Sequence, residues 1–122
     1  MSVWTLHLPY DAISWRSMNS RDHWSKRRAD VEATHLYVNN HLKHVTAPPP
    51  EPPVRISVTM WAKDRRLRDA DNALASAKPA IDAIVGAGVI EDDNWKFAPV
   101  WQVQIKCRPD DPGWTIRLEE LR

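Results

Sequence analysis

The chain has 122 residues, of which 43% are hydrophobic and 27% are charged. This length supports one domain, residues 1–122, with a single hydrophobic core, and it excludes two. The formal net charge is only +1, so overall charge by itself does not indicate a nucleic-acid partner.

The first half of the chain predicts a strand, a helix and a second strand. Residues 3–8 alternate in polarity as a strand does; Pro9 stops this strand, and a polar loop follows up to residue 22. From residue 22 to about residue 45 there is no proline or glycine, which predicts the first helix. Its candidate buried residues are Trp24, Ala29 or Val31, Leu36, Val38 and Leu42. The proline-rich stretch 47–53 is a stiff connection, and residues 54–62 alternate as the clearest strand of the chain.

The second half adds a helix and two strands. The helix ends at Gly86 or Gly88, either of which suits a left-handed cap. Residues 97–106 and 114–119 predict strands that form a hairpin through the turn-rich stretch 108–113. The expected fold class is α+β, in the order βαβαββ, with a mixed four-stranded sheet flanked by two helices.

Location in the cytoplasm is expected from three observations. The single cysteine, Cys107, excludes an internal disulfide and fits a reducing compartment. Residues 1–11 have neither the basic nor the apolar region of a signal peptide. The longest apolar run, residues 83–90, is too short to span a bilayer. We therefore expect no membrane partner.

Carboxylates and basic residues are concentrated between residues 63 and 93. Asp69 and Asp71 are two positions apart, so in an extended segment their side chains point to the same side. Together with the acidic run 91–93 they provide the oxygen ligands that a hard cation such as Mg²⁺ prefers. Positive charge for the phosphates of a nucleic acid would come from the neighbouring Lys63, Arg65, Arg66 and Arg68.

Lys78 is predicted to share a helix face with Asp71. The two residues are seven positions apart, close to two α-helical turns, and Asp82 continues the same line. These three charged residues would border an apolar stripe that starts at Leu74. Pro79 allows two outcomes: a helix kinked at this point, or a helix that restarts there with a cap near residue 76.

A resemblance to a known family rests on these residues. The order and spacing of the pattern resemble the signature of the RusA family of Holliday junction resolvases. The pattern consists of Arg66-x-Arg68-Asp69-x-Asp71-Asn72, Lys78, the run Ile81-Asp82-Ala83-Ile84, Ala87-Gly88 and Asp92-Asp93. Leu8-Pro9 and Ser17-Met18-Asn19 resemble the Leu-Pro and Ser-x-Asn elements of the family. The similarity covers most of the chain, and its middle third is specific.

The resemblance implies a small homodimeric endonuclease that resolves four-way DNA junctions with Mg²⁺, for which Mn²⁺ substitutes. The family's catalytic, metal-binding carboxylates fall on Asp69, Asp71 and Asp93, where Asp93 is preferred to Asp92 as the fifth residue after Gly88. Its essential lysine falls on Lys78. The spacing from Asp71 is three residues longer than in the best-known members, which approximately preserves the helix face.

DNA contacts are expected from two basic groups. Besides residues 63–68, a group near the N-terminus includes Arg21 and Lys26, and the resemblance adds Asn19. Each basic group can equally be ordinary solvated surface. Trp24 and Trp95 lie near the predicted site and could stack on unpaired bases.

Two other functions remain open. The same catalytic residues would serve a Mg²⁺-dependent nuclease for flaps or forks, because they indicate which reaction is catalysed and not which DNA shape is cut. A non-catalytic protein that binds branched DNA is the other alternative, and the intact Asp69, Asp71 and Asp93 argue against it.

Overall fold

The computed structural model describes residues 3–15 and 24–121, with residue 24 described by its backbone alone. The elements are β1 (Val3–Pro9), a 3-10 turn (Tyr10–Ala12), α1 (Trp24–Leu42), β2 (Val54–Ala62), α2 (Ala70–Gly86), β3 (Val100–Cys107) and β4 (Gly113–Glu120). The predicted α+β class and βαβαββ order are confirmed. Neither helix in the described part of the chain is long and apolar enough to cross a membrane.

The four strands form one mixed sheet in the order β1-β4-β2-β3. β2 and β3 are parallel, whereas β4 runs antiparallel to both β1 and β2. The predicted hairpin between the last two strands is therefore wrong. β2 lies between them, and the connection passes its end, where the Arg108 amide donates to the Ala62 carbonyl at 2.7 Å. The low burial of β3, which buries no side chain fully, fits its place at an edge, whereas the other edge strand, β1, buries every second side chain as β4 does.

One face of the sheet forms the core with both helices. The central strands contribute Ile56, Met60 and Ile116, each at most 1% exposed. Of the four tryptophans on strands, for which the simpler expectation is packing in the core, Trp4 and Trp114 are buried, whereas Trp61 and Trp101 are only half-buried. The opposite face carries polar side chains, as the predicted alternation requires.

Helix α1 is mostly exposed. Of its side chains from 25 to 42, only Thr34 and Val38 are fully buried, and Ala29 and Leu36 are exposed. Burial of Val38 is confirmed, and the expected burial of Leu36 is wrong. Of the alternatives Ala29 and Val31, Ala29 is exposed and Val31 is half-buried, as is Leu42. Thr34 and Val38 are one turn apart, and the Thr34 hydroxyl donates to the Ala12 carbonyl at 2.8 Å. This line of contact turns Leu36 toward solvent; the side chain of Trp24 lies outside the described residues.

Helix α2 runs without interruption through Pro79. Pro79 has no N–H to donate to the carbonyl of Ala75, yet the helix does not restart there. The helix ends at Gly86, and Gly88 then adopts a positive φ of 84°, which glycine tolerates best. The buried residues of the helix are Ala73, Ser76, Ala77, Ala80, Ile81, Ala83 and Ile84.

Candidate active site

The loop of residues 63–69, between β2 and α2, is stabilised by hydrogen bonds between its own residues. The Arg68 guanidinium donates to the Asp64 carboxylate at 2.8 Å and to the carbonyls of Asp64 and Arg66. Its side chain is only 8% exposed. The Arg66 amide also donates to the Asp64 carboxylate, and this bond, followed by that from Arg68, lowers the pKa of Asp64. Arg68 therefore stabilises the loop.

Sequence reasoning missed Asp64. The signal was present, because an aspartate two residues before a backbone donor is typical of an Asx turn. Asp64 and Arg68 are four residues apart in the sequence, and they form a close ion pair.

The other basic residues of this loop extend into solvent. Lys63, Arg65 and Arg66 are exposed, and the Lys63 ammonium lies 5.2 Å from the centroid of the Tyr10 ring. Lys26, in the first turn of α1, is exposed as well. Arg21 and Asn19 lie outside the described residues. Arg66 also pairs with the Asp64 carboxylate at 3.8 Å, and this exposed ion pair leaves its guanidinium accessible to an anionic ligand.

The ammonium of Lys78 joins two carboxylates. It donates to Asp82, one helical turn later, at 2.7 Å, and to Asp93 in the turn that follows α2. Partial burial opposes the charge, but the hydrogen bonds to Asp82 and Asp93 outweigh it and raise the pKa of Lys78. The Asp93 side chain is only 17% exposed. Lys78 is thus a fixed positive charge on the face of α2.

Asp71 and Lys78 line the same groove along α2. Seven residues at 1.5 Å per residue separate their Cα atoms by roughly 10 Å along the helix axis. Asp71 is exposed, and its carboxylate accepts the Asn72 amide at 2.9 Å. Asp69 is the N-cap of α2, and its side chain makes no capping hydrogen bond. The carboxylates of Asp69 and Asp71 therefore face solvent at the start of the helix.

The turn after α2 gives its two aspartates different partners. Asp92 accepts the backbone amide of Asp93 at 2.7 Å and the side-chain amide of Asn94 at 3.0 Å. Asn94 in turn accepts the Lys96 amide at 3.0 Å. Asp92 is engaged within the turn, while Asp93 faces Lys78.

Trp95 projects from this same turn. Its side chain is 83% exposed. The Trp95 indole therefore lies in solvent two residues after Asp93, and its stacking on an unpaired base stays a prediction; the side chain of Trp24 lies outside the described residues.

Three of the predicted site residues lie close to one another in the structure. Lys78 contacts Asp93 and shares a groove with Asp71. Within residues 3–15 and 24–121, no group of three or more His, Cys, Asp or Glu side chains is arranged to hold a metal ion. Joint metal binding by Asp69, Asp71 and Asp93 stays a prediction.

Comparison with known proteins gives no match: no family model matches the sequence, and no curated protein matches it either.

Proposed function

We propose that this protein is a Mg²⁺-dependent endonuclease that cuts branched DNA, with four-way junctions as its preferred substrate. The observation that carries the proposal is the position of Lys78, held against Asp93 and lining the same groove as Asp71. Carboxylates beside a fixed cation suit phosphodiester hydrolysis, in which negative charge builds on phosphate oxygens. The resemblance to the RusA family rests on the same residues.

The exposed cations of the 63–69 loop serve to bind DNA phosphates. Lys63, Arg65 and Arg66 extend into solvent directly before Asp69, so phosphates bound by them lie next to the carboxylates. Arg68 acts through Asp64, since it fixes the loop that carries these cations. Each phosphate contact releases counterions, so binding weakens as salt rises.

Asp69, Asp71 and Asp93 are the residues that would hold the metal. All three offer carboxylate oxygens, which Mg²⁺ prefers, and Asp69 and Asp71 are exposed. A bound Mg²⁺ supplies Lewis acidity and a water of lowered pKa. Lys78 contributes a charge that persists at neutral and moderately alkaline pH, because its pKa is raised, and stabilises negative charge on the phosphate.

A homodimer fits this function. A four-way junction has two-fold symmetry, so two identical sites related by a dyad can nick strands of like polarity. Light scattering should give twice the monomer mass of 14.1 kDa, with or without junction DNA. A monomer mass in both conditions would reject the dimer and leave the chemistry untouched.

The decisive experiment compares cleavage of four-way, forked, flapped and linear DNA of shared sequence. Reactions contain Mg²⁺, Mn²⁺ or EDTA, and Asp71→Asn is the inactive control. We expect paired nicks in the four-way junction with either metal and none with EDTA. Equal cutting of forks and flaps would indicate a broader branched-DNA nuclease. Tight junction binding without cutting would favour the non-catalytic alternative. The absence of both binding and cutting would reject the proposal.

A further inference from the structure

An apolar groove lies between α2 and the edge strand β3. It has a volume of about 350 Å³ and is lined by Leu74, Ala75 and Trp101, with Asp71 and Lys78 as its charged members. Leu74, Ala75 and Trp101 are each half-buried, so all three keep accessible surface. The groove therefore combines an apolar part, which has no role in the proposed chemistry, with two of the proposed catalytic residues at its border.

The ring of Trp101 is held in a fixed position. Its indole N–H donates to the Ala98 carbonyl at 3.0 Å, and the preceding turn is fixed by hydrogen bonds from the Phe97 and Ala98 amides to the Asn94 carbonyl. A ring anchored in this way loses little rotamer freedom when a ligand stacks on it. Because β3 is an edge strand, no further strand within residues 3–15 and 24–121 covers this side of the ring.

The chemistry of the groove matches one nucleotide. A flat nucleobase stacks on an aromatic side chain and tolerates apolar neighbours, which Leu74 and Ala75 supply. The phosphate of a nucleotide needs a cation at the edge of such a groove, and Lys78 provides it. A purely aliphatic ligand would use the apolar lining and leave the charged residues unused.

We propose that this groove is a subsite for one unpaired nucleobase of the substrate strand, stacked on Trp101 against Leu74 and Ala75. The inference rests on the proposed function, because it places that base next to the phosphate that Lys78 contacts. A base inside a duplex must leave its stack to enter the groove, and an unpaired base at a branch point does so at the least cost. The subsite would thus contribute to selection of branched over linear DNA.

The test uses 2-aminopurine, a fluorescent base that is quenched when it stacks. The probe is placed as a single unpaired base at successive positions around the branch point of a four-way junction, where it is not already quenched by stacking in a duplex, and binding is measured in Ca²⁺ without Mg²⁺. We expect strong quenching at one position. Ala75→Leu should abolish this quenching, because the larger side chain fills the groove. Ala33→Leu, the same change at an exposed position of α1, should leave it intact.

A second pair of variants separates stacking from folding. Trp101→Leu should weaken binding of the junction by about ten- to a hundredfold, whereas Trp101→Phe retains an aromatic face and should restore much of the loss. Circular dichroism and the thermal midpoint check that each variant is folded. Equal losses in both folded variants would show that the ring does not stack on a base and would overturn the subsite.

The outcomes distinguish this inference from the proposed function. Uniform quenching at every position, or quenching that survives Ala75→Leu, overturns the subsite even when Mg²⁺-dependent cutting is normal. Quenching at one position that Ala75→Leu abolishes supports the subsite even in a protein that cuts no DNA, in which case the nuclease proposal alone fails.

Discussion

The two helices are similar in length and differ in how they are held. Helix α2 fully buries seven of its 17 residues, whereas α1 fully buries two of the 18 side chains described in its 19 residues. Helix α2 connects the parallel strands β2 and β3 and packs against both of them and against α1, and its buried residues run from Ala73 to Ile84. Helix α1 packs against α2 and the edge strand β1. The candidate catalytic residues lie on α2, at its N-cap and in the turn that follows it, and the core fixes this helix, as precise positioning of reactive groups requires.

The largest expected effect separates the carboxylates on and next to α2 from a carboxylate on α1. Asp71→Asn or Asp93→Asn should lower Mg²⁺-dependent cleavage by about a thousandfold or more, because each removes a charged oxygen ligand. Asp69→Asn should behave in the same way. Junction binding should stay intact or tighten, since repulsion of phosphate falls.

Glu32→Gln on α1 is the matched control, because Glu32 is exposed and pairs with Arg28 of the same helix at 3.1 Å. Cleavage rates measured on a four-way junction at saturating enzyme decide the matter, and wild-type rates in any of the three aspartate variants would remove that residue from the site.

The next effect concerns stability. Ile81→Ala in α2 should lower the free energy of unfolding by about 2–5 kcal/mol, because Ile81 is 1% exposed and its loss leaves a cavity. Leu36→Ala in α1 should change the free energy by less than about 0.5 kcal/mol, because the Leu36 side chain is 65% exposed. Urea unfolding followed by circular dichroism measures both variants. Similar losses would contradict the difference in anchoring between the helices.

Local patterns in the sequence predicted much of the fold. The bounds of β2 follow from strict alternation, and the line from Asp71 through Lys78 to Asp82 follows from helical spacing. The strand order depends on pairing between strands that are distant in the sequence, and the hairpin prediction failed because β2 pairs with both β3 and β4 and lies between them. The rotation of α1 depends on the contact of Thr34 with Ala12, 22 residues away. That contact has no periodic signal in the sequence.

In the candidate site, too, contacts within one element could be predicted from the sequence, whereas contacts between elements could not. The contact of Lys78 with Asp82 is local, but its contact with Asp93 spans 15 residues and depends on how the turn after α2 folds back. The groove beside Trp101 depends on β3 being an edge strand with a helix beside it. Spacing along one element cannot predict such a surface, because it is formed by two elements.

A lysine on each helix should affect different steps. Lys78→Ala should lower cleavage by about ten- to a hundredfold while changing junction affinity little, because its charge acts on the developing transition state. Lys26→Ala on α1 should weaken binding at all sequences and reduce the salt dependence of binding by about one charge. Single-turnover cleavage and binding titrations over a range of salt concentrations separate the two effects. A loss of binding alone in Lys78→Ala would reassign that lysine to DNA binding.

A smaller effect tests how α1 is anchored. Thr34→Val should lower stability by about 1–2 kcal/mol, because it leaves the Ala12 carbonyl without the hydroxyl that Thr34 donates. Thr46→Val, the same change at an exposed position after α1, should change stability by less than about 0.5 kcal/mol. Equal losses in urea unfolding would show that α1 does not depend on this tertiary bond.

The smallest expected effect is a difference in pH dependence between the loop before α2 and the charged cluster on α2. The pKa of Asp64 is lowered, so its hydrogen bonds with Arg66 and Arg68 stabilise the loop above the ordinary value of 3.8 and are lost as the pH falls through the lower folded value. The pKa of Lys78 is raised, so its contribution is complete below the ordinary value of 10.5 and is lost as the pH rises through the higher folded value. Between these limits both arrangements persist.

The amide signal of Arg66 in NMR spectra should therefore titrate with a midpoint below 3.8, and Asp64→Asn should abolish the titration. A midpoint at or above 3.8 would contradict the bracing of the loop by Arg66 and Arg68, and with it the placement of the exposed cations beside Asp69.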